Sequence, residues 1–148
     1  MQNININELI KNISFKTDDE DLIKIFEEIA QEVTKKLKDD YILKYNYYTK
    51  KEYKNKKEMT STQFRKFYNE IIKLNINSKG MNNREFQKHI LPFIKMIKSK
   101  VANSHSKGNS GNNFKVLMDI SIAKVNSQEE LQNFKYFLES IIGYMPKK

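Results

Sequence analysis

Residues 60–74, TSTQFRKFYNEIIKL, constrain the fold more tightly than any other stretch of the chain. Thr60 and Gln63 have the form of a capping box, in which each side chain satisfies the other residue's free backbone N–H. Met59 and Phe64 occupy the two positions of a hydrophobic staple. Phe64, Phe67, Tyr68, Ile71 and Leu74 then recur at helical spacing and make one apolar face. Lys66, Asn69 and Lys73 fall opposite that face, with Arg65 at its edge. The stretch is therefore a helix with one side to bury and one basic side to show. That basic side is either an ordinary solvated back or a surface that touches an anion, and the rest of the chain must decide.

The same pattern repeats. Thr17 to Asp40 reads as a long helix, with a second capping-box pair in Thr17 and Glu20. Asp18, Asp19, Glu20 and Asp21 suit the positive end of its dipole, and Lys35, Lys36 and Lys38 the negative end. Leu22, Ile25, Phe26, Ile29, Val33 and Leu37 supply its buried stripe. After the polar run from Asn75 to Asn83, a helix capped by Asn82 and Glu85 extends to about Ser106. Pro92 should kink it or divide it in two. Its apolar stripe is Phe86, Ile90, Phe93, Ile97 and Val101. A further helix spans about Asn112 to Val125, with Phe114, Leu117, Met118 and Ser121 inward. Ser127 and Glu130 open the last, which carries Leu131, Phe134, Leu138, Ile141 and Ile142 and stops near Gly143 and Pro146.

Only two prolines and four glycines punctuate the 148 residues, which favours long helices over many short strands. The expected fold is all-α, a compact bundle of about five helices. Residues 17–148 are expected to form one helical domain with a basic linker at about 41–58. Residues 1–16 are an arm, either a short docked helix or loose. No cysteine is present, which excludes disulfides, thiolate metal sites and a Cys nucleophile. The start, MQNININELI, lacks signal-peptide character, and no apolar run approaches the ~20 residues that span a bilayer. A soluble, cytoplasmic protein that binds no membrane is expected.

The charge is unevenly placed. The formal net charge is +9, and 25 of the 27 basic residues are lysine, the exceptions being Arg65 and Arg84. Residues 1–40 carry a net −4 and residues 108–148 a net +1. Residues 41–107 hold 16 basic and 4 acidic side chains, a net +12. An AT-rich genome would raise lysine everywhere. Concentration in the middle instead suits a polyanionic partner, bound through phosphate neutralisation and counterion release. Within this region Tyr41, Tyr45, Tyr47, Tyr48 and Tyr53 are interleaved with Lys44, Lys50, Lys51, Lys54, Lys56 and Lys57. Such a composition occurs where rings stack on single-stranded nucleic acid. It equally describes a solubilising linker whose tyrosines cover the edge of a core. Arg84, Lys88, Lys95 and Lys98 fall together on one side of the Pro92 helix, provided the kink does not rotate one half.

Catalytic patterns are missing. His89 and His105 lack partners at ligand spacing, and no Gly-x-Ser-x-Gly elbow or His-Glu metal pair occurs. The loop SKGNSGNN, residues 106–113, is not a Walker loop. Glu139 is a lone carboxylate among apolar residues, available to pair with a lysine. No catalytic residue, cofactor or metal is expected, and the protein is not expected to be an enzyme.

Three stretches together resemble the small subunit of the type III-A CRISPR effector, the Csm complex. TSTQFRKFYNEI (60–71) is similar to that family's capped Gln-hydrophobic-Arg-Lys-Phe helix. LPFIKMIKSKVA (91–102) is similar to its proline-entered, Lys-rich helix. FKYFLESIIGY (134–144) is similar to its closing helix, with a Phe-x-x-Phe-Leu-Glu core and terminal Tyr. The resemblance implies a five-helix protein without nuclease activity, acting in antiviral defence. It implies several copies stacking along the backbone subunits and lining the groove where guide RNA and target RNA pair. Its partners would be those RNAs, the other Csm subunits including the large subunit, and copies of itself. Arg65 and Lys66 of the first motif, and Lys95, Lys98 and Lys100 of the second, become phosphate-contact candidates. The residues' own charge pattern adds Lys73, Arg84, Lys88 and Lys107 to the set, and the resemblance makes Phe64, Phe67, Phe137 and Leu138 core. Where the family often continues with Tyr-Ala and then Arg, this chain has Asn103 to Lys107. Lys107 would replace that arginine in charge but not in bidentate geometry. The residues alone leave two other readings open. One is a helical DNA-binding regulator, for which the Asn75–Asn83 connection is long. The other is a protein-binding helical adaptor.

Overall fold

The computed structural model describes residues 4–16 and 22–146. The capping pair Thr17 and Glu20, with Asp18, Asp19 and Asp21, lies outside the described residues. Among those described, the chain runs α1 (Ile6–Ile10), α2 (Leu22–Lys38), β1 (Tyr41–Asn46), β2 (Lys51–Lys56), α3 (Ser61–Ser78), α4 (Asn83–His89), α5 (Leu91–Ser106), α6 (Asn112–Ala123) and α7 (Gln128–Tyr144). The molecule is mostly helical, but the all-α, five-helix expectation needs correcting. There are seven helices and an antiparallel two-stranded sheet among the described residues. One extra helix is α1, and another comes from division of the Pro92 helix.

That division has a local cause. Pro92 sits in the first turn of α5, where a missing N–H costs nothing because it would have no intrahelical partner. Ile90 closes α4 by donating its N–H to the Phe86 carbonyl at 2.9 Å, and its own carbonyl accepts from Phe93 and Ile94. The break changes the expected stripe at one position. Ile94 is fully buried, whereas Phe93 is 52% exposed. Both lie one turn from Ile90 and Ile97, so spacing alone does not choose between them; the packed neighbours bury Ile94.

Helix α7 is central, packing against α2 on one side and α3 on another. Its Leu131, Phe134, Phe137, Leu138 and Ile141 are buried. Phe15, Phe26, Phe134 and Phe137 form an aromatic cluster with ring centroids 5.3–6.0 Å apart. A second group joins Phe64 and Phe67 of α3 to Phe114 of α6 at 5.7 and 5.2 Å. Each fully buried ring contributes about 1.5–3 kcal/mol over exposure, plus about 0.5–1.5 kcal/mol from ring pairing.

Helix starts follow the sequence signals. Thr60 Oγ1 accepts from the Gln63 N–H at 3.2 Å, one half of the expected box, the Gln63 side chain not returning a bond to the Thr60 N–H; Met59 is buried as a staple should be. Asn82 and Glu85 make the full reciprocal box. Ser127 Oγ accepts from the Glu130 N–H at 3.1 Å, while Glu130 reaches back to the Asn126 N–H. The arm is docked: Ile6, Ile10, Ile13 and Phe15 are buried. Lys124 Nζ clamps it by donating to the carbonyls of Ile10, Lys11 and Ile13 at 2.5–2.9 Å. Burial pushes the Lys124 ammonium below the ordinary lysine range.

The stretch between α2 and α3 forms a hairpin in which Tyr41 pairs with Lys56 and Asn46 with Lys51. Its turn is set by Asn46, whose Oδ1 accepts from the N–H groups of Tyr48 (2.8 Å) and Thr49 (3.1 Å). Lys50 closes the turn in the left-handed region, at φ +57°. The hairpin is fastened at its foot by Asp40, which is buried between it and α6. One carboxylate oxygen accepts from the Tyr41 and Asn113 N–H groups at 2.8 and 2.7 Å, and the other from Phe114 at 3.0 Å. The Asp40 carbonyl accepts from the Lys57 N–H at 2.8 Å. Asp40 thereby caps α6, where the helix dipole favours an anion. Burial nevertheless pushes its carboxyl above the ordinary aspartate value, against the lowering effect of the three N–H donors. Gly111 is required here, because a Cβ would overlap the Asp40 carboxylate.

Candidate nucleic-acid interface

All nine candidate cations, Arg65, Lys66, Lys73, Arg84, Lys88, Lys95, Lys98, Lys100 and Lys107, are exposed. The helices distribute them over several surfaces. On α3, Lys66 and Lys73 lie on the back, away from buried Phe64 and Ile71. Arg65 lies on the flank facing α7. There the Tyr68 hydroxyl donates to Glu139 Oε1 at 2.7 Å, and Lys135 pairs with the same oxygen at 3.4 Å. Burial, then the Glu139 carboxylate, pushes the Tyr68 phenol well above the ordinary tyrosine range, while the Arg65 charge opposes this. Glu139 is thus held by a tyrosine and a lysine at the surface, not buried.

On the other flank of α3, Glu70 pairs with Lys100 of α5 at 2.5 Å. Lys100 is the one candidate held in an ion pair among the described residues. It borders a shallow groove between α3 and α5, about 170 Å³, with Lys73, Phe93 and Met96 among its walls. Lys95 and Lys98 do not join this groove. At 3.6 residues per turn, Lys95 points about 140° from Lys100 around α5. Arg84 and Lys88 belong to α4, beyond the break at Ile90. Lys107 caps the end of α5. The structure therefore brings Lys73 and Lys100 together and separates Lys95 and Lys98 from them.

The connection between α3 and α4 is only residues 79–82, because α3 continues to Ser78. Asn75 and Ser78 are buried, and the Ser78 hydroxyl donates to the Asn75 carbonyl at 2.7 Å. The first part of the polar run 75–83 is thus helix, and two of its polar side chains face inward.

The feature that helical reasoning missed is the hairpin. Its signal was alternation: Tyr41, Leu43 and Tyr45 share one face, Ile42, Lys44 and Asn46 the other. Between α1, α2 and the hairpin lies a cleft of about 810 Å³ into which Lys35, Lys36, Lys54 and Lys56 converge, with Glu32 and Asp39 among them. No group of three or more His, Asp or Glu side chains among the described residues is placed to hold a metal ion. No described helix is long and apolar enough to cross a membrane.

Fold and surface together define a small, mostly helical, basic protein whose nine candidate cations are all exposed. A family model described as Csm2 Type III-A matches residues 40–145. The chain belongs to this family, the small subunit of the type III-A Csm complex, a family of structural subunits that sit with the other Csm subunits. No curated protein and no solved structure matches the chain.

Proposed function

We propose that the chain is a non-catalytic subunit that binds the backbone of paired guide and target RNA, with copies of itself stacking along the Csm ribonucleoprotein. The effector would act in the cytoplasm in antiviral defence. The protein would supply positive charge and shape, and base pairing would supply sequence choice. The observation that carries this reading is the placement of charge within a member of this family. The net +12 of residues 41–107 is displayed outward, and eight of nine candidate cations carry no ion pair among the described residues. Phosphates are the partner that such a surface attracts best.

The split between Lys73 with Lys100 and Lys95 with Lys98 makes the reading testable in halves. In Lys95→Ala/Lys98→Ala and in Lys66→Ala/Lys73→Ala, affinity for a guide–target duplex is measured against salt. Each lost phosphate contact flattens the slope of log affinity on log salt by ~0.7–0.9. Unchanged affinity and slope in both double variants would sink the reading.

A further inference from the structure

We propose that the hairpin tip is a separate binding site for unpaired nucleobases, with Tyr47 and Tyr48 as the stacking rings and Lys44, Lys50 and Lys51 as phosphate contacts. The core does not need these rings. Tyr48 is 97% exposed and Tyr47 82% exposed, so neither contributes appreciable burial. At 97% exposure the Tyr48 ring is open to a flat partner on both faces, and Tyr47 is open wherever its contact with Tyr45 does not cover it. The two-stranded ribbon is also short of the three strands or covering helix that usually give such a unit independent stability. It is held by its foot, through Asp40, while its far end stands free. The turn is nevertheless well defined, by Asn46 Oδ1 and the left-handed Lys50. Tyr47 is oriented by an edge-to-face contact with Tyr45, centroids 4.8 Å apart. This combination presents aromatic faces in a fixed place without using them for packing.

Charge selects the occupant. Residues 41–58 carry six lysines against Glu52 and Glu58. At the tip, Lys51 pairs across the ribbon with Asn46, and Lys44 with Tyr53, so lysines flank the tyrosines on both strands. A protein partner docking on tyrosines would have to be acidic. A single-stranded nucleic acid supplies both the planar face and the negative charge, and stacking is tolerant of base identity because every base has a π-face. Paired bases are unavailable to such rings, so the tip discriminates single strands from duplex, which a phosphate-reading helical surface does not. The proposal stands on the hairpin alone and does not depend on the helical cations binding RNA.

The test uses the full-length protein and fluorescently labelled 20-mers of uridine and of deoxythymidine, with a blunt RNA duplex alongside. Tyr47→Ala/Tyr48→Ala should weaken binding of a single-stranded probe tenfold or more and leave its salt slope unchanged. Tyr47→Phe/Tyr48→Phe should restore it, since rings without hydroxyls still stack. Lys50→Ala/Lys51→Ala should flatten the slope by ~0.7 per contact. Duplex affinity should not respond to the tyrosine change. The larger loss, on uridine or on deoxythymidine, tells whether RNA or DNA is the strand held. Binding by the double alanine variant within twofold of the parent on both single strands overturns the proposal. So does loss of another protein from the purified complex with single-strand affinity unchanged, which would assign the tip to a protein partner. A response to Lys95→Ala/Lys98→Ala without one to the tyrosines leaves the helical reading standing and removes this one; the reverse does the opposite.

Discussion

The helical body and the hairpin are both rich in lysine, yet they are stabilised in different ways. In the body, lysines such as Lys66 and Lys73 ride on a helix whose opposite side is sealed by phenylalanine and isoleucine. Lys66 and Lys73 can be exposed because Phe64 and Ile71 are not. In the hairpin no such exchange exists. Tyr47 and Tyr48 are largely exposed and Leu43, Tyr45 and Tyr53 about half exposed, and it is the foot that is fixed to the rest of the molecule. The body's surface is therefore compatible with a purely structural origin, whereas the hairpin's aromatic surface is not accounted for by folding.

Substitutions should separate the two regions by what they change. Phe134→Ala removes a fully buried ring from the Phe15, Phe26 and Phe137 cluster and should cost about 3–5 kcal/mol. Chemical denaturation should show it as a lower midpoint with the hairpin's tip chemistry unaffected. Asp40→Ala acts at the junction. It strips three N–H groups of their acceptor and removes the cap of α6, with an expected cost of about 2–4 kcal/mol. Circular dichroism melting would read the loss. Gly111→Ala pushes a methyl into the same carboxylate, and should lower stability by about 1–3 kcal/mol. Tyr47→Ala/Tyr48→Ala lies at the small end, within about 0.5 kcal/mol of the parent in stability. A large stability loss in that last variant would erase the contrast, because it would mean the tip packs after all.

Much of the body could be read from residue spacing. Local rules sufficed for α3, where Met59 and the Phe64–Leu74 face behave as staple and periodicity dictate and Thr60 caps, though without the return bond from Gln63. They sufficed for α7, and for the division at Pro92. They failed where a distant residue decides. Nothing near residue 10 announces that Lys124 will clamp the arm's carbonyls, and nothing near Gly111 announces that Asp40 will cap its helix. Phe93 and Ile94 are neighbours with equal claims to the core, and only packing chooses. The candidate cations are all exposed, but their grouping depended on helix phase and on ion pairing. Lys100 met Glu70 from another helix, which spacing within either helix could not disclose. The hairpin was missed because frequent lysine and tyrosine masked a two-residue alternation between two long helices.

Asp40 has a mechanical consequence. The same residue follows α2 by two positions, receives the first and last backbone links of the hairpin, and anchors the first turn of α6. Motion of the hairpin foot is felt at that carboxylate and, through the Asn113 and Phe114 N–H groups it accepts from, in the first turn of α6 and the ring cluster around Phe114. Strand amides at the foot and the first amides of α6 should consequently open together in hydrogen exchange, as one unit, even though they are far apart in the chain.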